Sequence, residues 1–326
     1  MVLNDILPFV LIAILLVVVE LVYFRVAIRN GIVDKPNDRS SHIRPAIRGG
    51  GVVFIFAILF WFIGHGLSWP WFMLGACAIA IISFLDDVIS LNPMVRFLFH
   101  LLSVLLVFYQ LSPFSWPIYL LAVAVIVCIG TLNAFNFMDG INGITGVYAL
   151  MSLASFGYIH TYRIPFTDLS LIVVVSISVL IFLFFNFRNR ARCFAGDIGS
   201  VTIAFVLIFF LLQLINTTHN FLWPLLFLVY GTDAIVTIVY RIRRGENIFK
   251  PHRTHLYQYL CNELRWSHLK VSIVYGGVQL LFNVIVINAL LERSYIFPLI
   301  VALVFILGYL FIRVAVTKQI EKMKRV

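Results

Sequence analysis

Eleven stretches of nearly unbroken apolar residues lie at about 6–28, 51–67, 69–85, 94–111, 116–132, 144–158, 169–187, 200–215, 221–240, 271–291 and 295–316, separated by polar or Gly/Pro-containing connections. A helix of about 20 apolar residues crosses the hydrocarbon core of a bilayer, so each stretch predicts a membrane helix. The expected fold class is all-α: a polytopic integral membrane protein of about eleven transmembrane helices, forming one transmembrane domain over residues 1–326. The second, third and sixth stretches are short enough to lie tilted or partly at the interface.

Composition sharpens this picture. Of the residues, 62% are hydrophobic and only 12% charged, with a mean hydropathy of +1.03. A water-soluble domain carries about 25% charged residues, so most of this surface faces lipid, and no length is left for a separate soluble domain. A secreted or nucleic-acid-binding protein is excluded despite the pI of about 9.6. The N-terminus, with Asp5 and no basic region before its apolar run, does not resemble a cleaved signal. Cys77, Cys128, Cys193 and Cys261 are far apart and form no CxxC, which points to four reduced thiols.

The net charge of +10 reports orientation rather than a partner. With the N-terminus outside and the C-terminus cytoplasmic, all of the 24 Lys and Arg residues except Arg163 and Arg293 fall on the inner side. The inner connections, at about 29–50, 86–94, 133–143, 188–199 and 241–270, are also the longer and more polar ones. Nearly every carboxylate, histidine and asparagine cluster lies there, so the chemistry is expected at the inner face. No internal repeat is visible, which weakens a reading as an inverted-repeat transporter.

Five constellations carry that chemistry. In FLDD, Asp86 and Asp87 end an apolar helix, where two like charges at a partly negative helix terminus call for a cation, either Mg²⁺ or Arg96; a solvated pair closing a span is the plainer alternative. NAFNFMDGINGITG spaces Asn133, Asn136, Asp139 and Asn142 every three residues, offering the paired donors and acceptors that a nucleobase or sugar requires. Turn and capping roles explain Asp139-Gly140 well and the three asparagines poorly. FAGDIGS sets Asp197 between glycines before the eighth span, either as an N-cap or as a metal-holding carboxylate beside a backbone anion nest. KPHRTHLYQ places His252 and His255 around Arg253, just after Lys250; this is weak as a zinc site and better as an anion clamp. Lastly, VDKPNDRSSHIRPAIRGGG brings Lys35, Arg39, His42, Arg44 and Arg48 before Gly49-Gly50-Gly51, a run better suited to close helix packing than to cradling phosphate. His65, His100, His160, His219 and His268 join no cluster on the inner face and are read as structural.

In order and in placement, these five stretches, spanning residues 33 to 258, resemble those of the polyprenyl-phosphate N-acetylhexosamine-1-phosphate transferases. That family includes the initiating enzymes of O-antigen and capsule synthesis and the peptidoglycan translocase. The resemblance implies transfer of a sugar 1-phosphate from a UDP-N-acetylamino sugar to undecaprenyl phosphate at the bacterial inner membrane, with release of UMP. The implied cofactor is Mg²⁺, with Mn²⁺ as a substitute, and the implied partners are the two substrates and membrane lipids, without nucleic acid; a homo-oligomer stays open. Carried over by position, Asp197 is the metal ligand and a catalytic residue, Asp86 and Asp87 the acidic pair near the lipid phosphate, and His252 and His255 the histidine motif. Asn136 and Asp139 fall to the nucleoside, with Asn133, Arg96, Arg253, Lys35 and Arg48 as further binding residues. The chain departs from the translocase in its His-Arg-Thr-His and in lacking a lysine after the acidic pair, which favours the amino-sugar branch. Asn142 stands where some relatives have Asp and receives no metal role. GlcNAc, QuiNAc and FucNAc fit equally, and a transporter or a polyprenyl-diphosphate phosphatase is the rival reading.

Overall fold

The computed structural model describes residues 3–34, 45–112, 116–247 and 253–324. Its framework is α1 (Leu3–Arg29), β1 (Val33–Asp34), β2 (Ala46–Ile47), α2 (Val52–Gly64), α3 (Pro70–Ile89), α4 (Pro93–Leu111), α5 (Ile118–Met138) and α6 (Ile144–Tyr162). It continues with α7 (Leu169–Asn186), α8 (Gly196–Thr218), α9 (Leu228–Arg243), the short α10 (Leu256–Gln258), α11 (His268–Leu291) and α12 (Ile296–Lys324). The protein is an all-α, polytopic membrane protein in which every apolar stretch has become largely helical. Nine of these, among the described residues, are long and apolar enough to cross a membrane; α2, with 13 residues, and the more polar α6 fall outside that set.

Local chemistry sets the boundaries. Proline opens α3 and α4, where its missing N–H costs nothing. Asn92, Asp168 and Ser267 cap α4, α7 and α11 by accepting the backbone N–H of Met94, Ser170 and Lys270. Three of the ends that differ from the hydrophobic pattern shape the site. α3 runs on to Ile89, so Asp86 and Asp87 sit in its last turns. α5 continues to Met138, so Asn133 and Asn136 are helical rather than in a 133–143 loop; the Asn133 amide bonds back to the Ile129 carbonyl (2.9 Å), satisfying itself within the helix. α8 starts at Gly196, which puts Asp197 inside its first turn.

Helix α8 is the axis of the molecule. Every residue from Ile198 to Ile215 is buried, and the helix packs against α2, α3, α4, α5 and α6. Phe72 of α3 stacks on Phe205 and Phe209 of α8 at 5.7 and 3.9 Å between centroids. By contrast α1, α4, α5 and α12 present many exposed apolar side chains, the surface expected to meet lipid.

The glycine run resolves in favour of packing. A Cβ on Gly51 would overlap the Cα of Gly199, and one on Gly50 would meet Cys193 at under 3 Å, so α2 and α8 touch through their backbones. The N–H groups of Gly50 and Gly51 donate to the carbonyls of Phe194 (2.8 Å) and Ala195 (3.1 Å), leaving neither for a phosphate. Beside them β1 pairs antiparallel with β2, and Ile47 of β2 bridges in parallel to Cys193. This small sheet fastens the 193–196 segment, and hence the start of α8, to the connection before α2. All four cysteines are free thiols.

Candidate active site

The N-terminus of α8 needs acceptors for its first N–H groups. Residue Ala195 at the cap position offers none, and Asp197 is not the cap. Asp87, from the end of α3, supplies them: its two carboxylate oxygens accept the N–H of Asp197 and of Ile198, each at 3.1 Å. The fit depends on Gly196, whose φ of +70° turns the chain into α8 and where a Cβ would lie 2.5 Å from Asp87 Oδ2. Arg48 reinforces this junction, its Nε 3.5 Å from Asp87 Oδ1 and its Nη1 donating to the Asp87 carbonyl (3.1 Å). The Tyr23 hydroxyl in turn donates to the Arg48 carbonyl at 2.5 Å.

With its backbone held this way, Asp197 turns its side chain toward α4 and α5. Oδ2 accepts from Arg96 Nη1 (3.3 Å) and from the Asn136 amide (3.2 Å). The same Arg96 nitrogen donates to Asp86 Oδ2, while Asp86 Oδ1 accepts the N–H of Leu91 (2.6 Å). Two carboxylates from different helices therefore converge on one cationic nitrogen. Their exposures differ: the Asp87 side chain is 1% accessible, Asp86 11% and Asp197 26%. Asp139, just past the end of α5, is recessed nearby, and burial pushes its carboxyl up to about 7.

Thus Asp86, Asp87, Asp197, Arg96, Arg48 and Asn136 form one cluster, with Asp139 beside it. Asn133 lies one turn back on α5 and bonds its own helix. Asn142 is used structurally, its amide donating to the Arg188 carbonyl (2.8 Å) and its carbonyl accepting from Ser272 (2.8 Å). Lys35 and His252 lie outside the described residues. His255 is buried against Asp233 of α9, with Nδ1 to Oδ1 at 2.9 Å. Arg253, two residues earlier, is partly exposed. The histidine stretch still approaches the cluster, because the Tyr257 hydroxyl donates to the Phe137 carbonyl (2.9 Å), next to Asn136.

Two buried acids escaped the sequence reading as partners. Asp233 holds His255, and Glu20 of α1 lies behind the 193–196 segment with Oε1 3.8 Å from Cys193 Sγ. Each is a single carboxylate within an apolar run, and that rarity was the available signal.

Among the described residues, no three His, Cys, Asp or Glu side chains form a ready-made metal cage. The donor set is nevertheless oxygen-rich, with Asp197 and Asp86 converging on one cation and the Asn136 carbonyl oxygen adjacent. It suits a hard divalent ion that takes only one or two carboxylates from the protein and completes its shell from phosphate and water.

This cluster falls within a recognised sequence family: residues 69–215 match glycosyl transferase family 4. Over this stretch, somewhat under half of its length, the chain is similar to that family. The matched region holds Asp86, Asp87, Arg96, Asn136, Asp139 and Asp197, with Arg48 and His255 flanking it. The chain is 27% identical to the undecaprenyl-phosphate alpha-N-acetylglucosaminyl 1-phosphate transferase of Escherichia coli (strain K12), over 92% of this chain and 89% of the relative. It is 28% identical to the transferase of the same name from Salmonella typhi, over 72% and 70%. It is 26% identical to a probable undecaprenyl-phosphate N-acetylglucosaminyl 1-phosphate transferase of Bacillus subtilis (strain 168), over 77% and 75%. The chain, a polytopic membrane protein, is thus similar to sugar 1-phosphate transferases.

Proposed function

We propose that this protein transfers an N-acetylamino-sugar 1-phosphate from a UDP-sugar to undecaprenyl phosphate at the cytoplasmic face of a bacterial inner membrane, releasing UMP and starting a lipid-linked surface glycan. The observation that carries the reading is the convergence of Asp197 and Asp86 on one cation, the guanidinium of Arg96, with Asn136 beside them. The names of the relatives support the substrate classes, and the asymmetry of Lys and Arg supports the cytoplasmic orientation.

The products define the bonds. An oxygen of the acceptor phosphate attacks the β-phosphorus of the UDP-sugar, the bond to the bridging oxygen breaks, and UMP leaves with that oxygen. Such a reaction depends on positioning and on neutralising phosphoryl oxygens more than on covalent catalysis. Asp197, with Asp86 and the Asn136 carbonyl oxygen, would hold Mg²⁺, which supplies Lewis-acid neutralisation of the diphosphate when bound. Arg96 and Arg48 add fixed positive charge at the same place. Asn136 and Asp139 are suited to the nucleoside, one through its amide and the other through a carboxyl that burial holds partly protonated near pH 7. Asp87 orients the first turn of α8, and with it Asp197.

The test is an assay of purified protein with Mg²⁺, undecaprenyl phosphate and a panel of UDP-N-acetylamino sugars, scored for UMP and lipid-linked diphosphate sugar together. Formation of both with at least one sugar is expected. Release of inorganic phosphate from a polyprenyl diphosphate, with no UMP, would replace the transferase by a phosphatase.

A further inference from the structure

Asp233 lies in the middle of α9, within an apolar membrane helix, and is fully buried. Its carboxylate collects four donors. Oδ1 accepts from His255 Nδ1 (2.9 Å), the Thr237 hydroxyl (3.3 Å) and the N–H of Leu256 (3.4 Å), and Oδ2 accepts from the Tyr275 hydroxyl of α11 (2.6 Å). A carboxylate in such a place is expensive to bury, and well-packed apolar side chains often do as well for stability alone. Its retention therefore asks for a role that depends on direction.

That direction is visible in what Asp233 holds. His255 and Leu256 are the start of α10, where the His255 N–H also donates to Gln258 Oε1 (3.3 Å). The next residue, Tyr257, donates to the Phe137 carbonyl, and its ring lies so close to Gly140 that a Cβ there would fall within 3.1 Å of Cζ. Phe137 lies between Asn136, whose amide bonds Asp197, and Asp139. From the other side α12 closes the same network: Arg313 donates to the Thr254 carbonyl and to the Thr237 hydroxyl, both at 2.8 Å. A continuous chain of hydrogen bonds and packed side chains thus runs from the interior of α9 to the end of α5.

We propose that Asp233 is a positioning residue of the transfer reaction, acting on the UDP-sugar through His255, α10 and the Tyr257–Phe137 hydrogen bond without touching either substrate. The proposal rests on the transferase reading above. It gives His255 the same indirect role, as the N-terminal anchor of α10.

The test is a kinetic comparison of the full-length enzyme and its variants in both substrates. Asp233→Asn keeps the shape but turns one of two acceptor oxygens into a donor, so either His255 or Tyr275 loses its partner. The expected result is a rise of about tenfold in KM for the UDP-sugar, with KM for undecaprenyl phosphate unchanged within about twofold. Tyr257→Phe moves the same constant in the same direction, and the double variant is no worse than the more affected single one, because both act along one route. Tyr275→Phe, a gentler change, replaces Asp233→Asn in this cycle if the latter does not fold. A purely structural role predicts less folded protein with both KM values intact, and that outcome overturns the proposal, as do additive effects or equal rises in both constants. A wild-type enzyme that releases no UMP sinks the transferase reading; an active wild type with additive variants sinks this inference alone.

Discussion

The sharpest test of the site is Asp87→Asn. Asp87 could act as a base on the acceptor phosphate or could position α8, and the geometry favours positioning: both oxygens are engaged by backbone N–H groups and the side chain is 1% accessible. The amide can satisfy only one of those N–H groups, and the other, facing an NH₂, costs about 1–3 kcal/mol. Loss of a negative charge at a helix N-terminus adds about 0.3–2 kcal/mol. The ion pair with Arg48, whose side chain is 41% accessible, is screened and contributes no more than about 1 kcal/mol. Together these amount to a loss of about 1–6 kcal/mol at the first turn of α8. One of the released N–H groups belongs to Asp197 itself, so turnover should fall to about a tenth or less.

The shape of the pH profile separates the two roles. A phosphate monoester has its second pKa at about 6, so the acceptor is mostly dianionic above pH ~7 and needs no base. Positioning predicts that the deficit of Asp87→Asn in UMP release stays nearly constant from about pH 6.5 to about 9. It also predicts a lower unfolding midpoint in mixed detergent–SDS micelles. A required base predicts a deficit that shrinks as solvent ionises the acceptor. Recovery of most of the lost rate at the alkaline end, with Mg²⁺ saturating and an unchanged unfolding midpoint, would refute the reasoning.

Four further outcomes are expected. Asp197→Asn should abolish turnover at ordinary Mg²⁺ while leaving the fold intact, because the cap of α8 is Asp87; near-normal activity would remove Asp197 from the site. Gly51→Ala should destabilise the bundle by about 1–3 kcal/mol or more, seen as a lower SDS unfolding midpoint, since its Cβ would meet backbone atoms of Gly199 and Ala195 rather than a side chain that could move aside. Asp139 holds its proton up to about 7 in the fold but only to about 4 in the unfolded chain. The folded state therefore binds more protons in that window, and wild type should lose stability relative to Asp139→Asn as pH rises from about 4 to about 7, then level off; a flat difference would contradict this. Single cysteines at position 190 and position 163, in a cysteine-free background, should label from the cytoplasmic and the external side respectively, and the reverse pattern would overturn the orientation.

Nine of the eleven expected spans, among the described residues, are long and apolar enough to cross a membrane. The positions of the apolar helices were legible because a lipid-facing helix must be apolar over most of its length, and that pattern is local. Their polar ends were less so. The pattern stopped α5 at Leu132, but Asn133 satisfies its amide on the Ile129 carbonyl and the helix carries on to Met138, taking Asn136 to the site. The chemistry of the cluster was legible as residue types, whereas the division of labour was not. Nothing near Asp87 in sequence says that it caps the helix that carries Asp197, 110 residues later, and nothing near His255 says that its partner is a carboxylate in α9. Asp86, Asp87 and Asp197 are chemically alike, so their roles follow from what each one faces. Asp87 faces two backbone N–H groups and is sealed; Asp86 faces Arg96 and the N–H of Leu91 and is nearly so. Only Asp197 keeps a quarter of its side chain open, beside a guanidinium that a dianionic substrate can draw away. Of the three, it is the carboxylate with the most surface left to offer a metal.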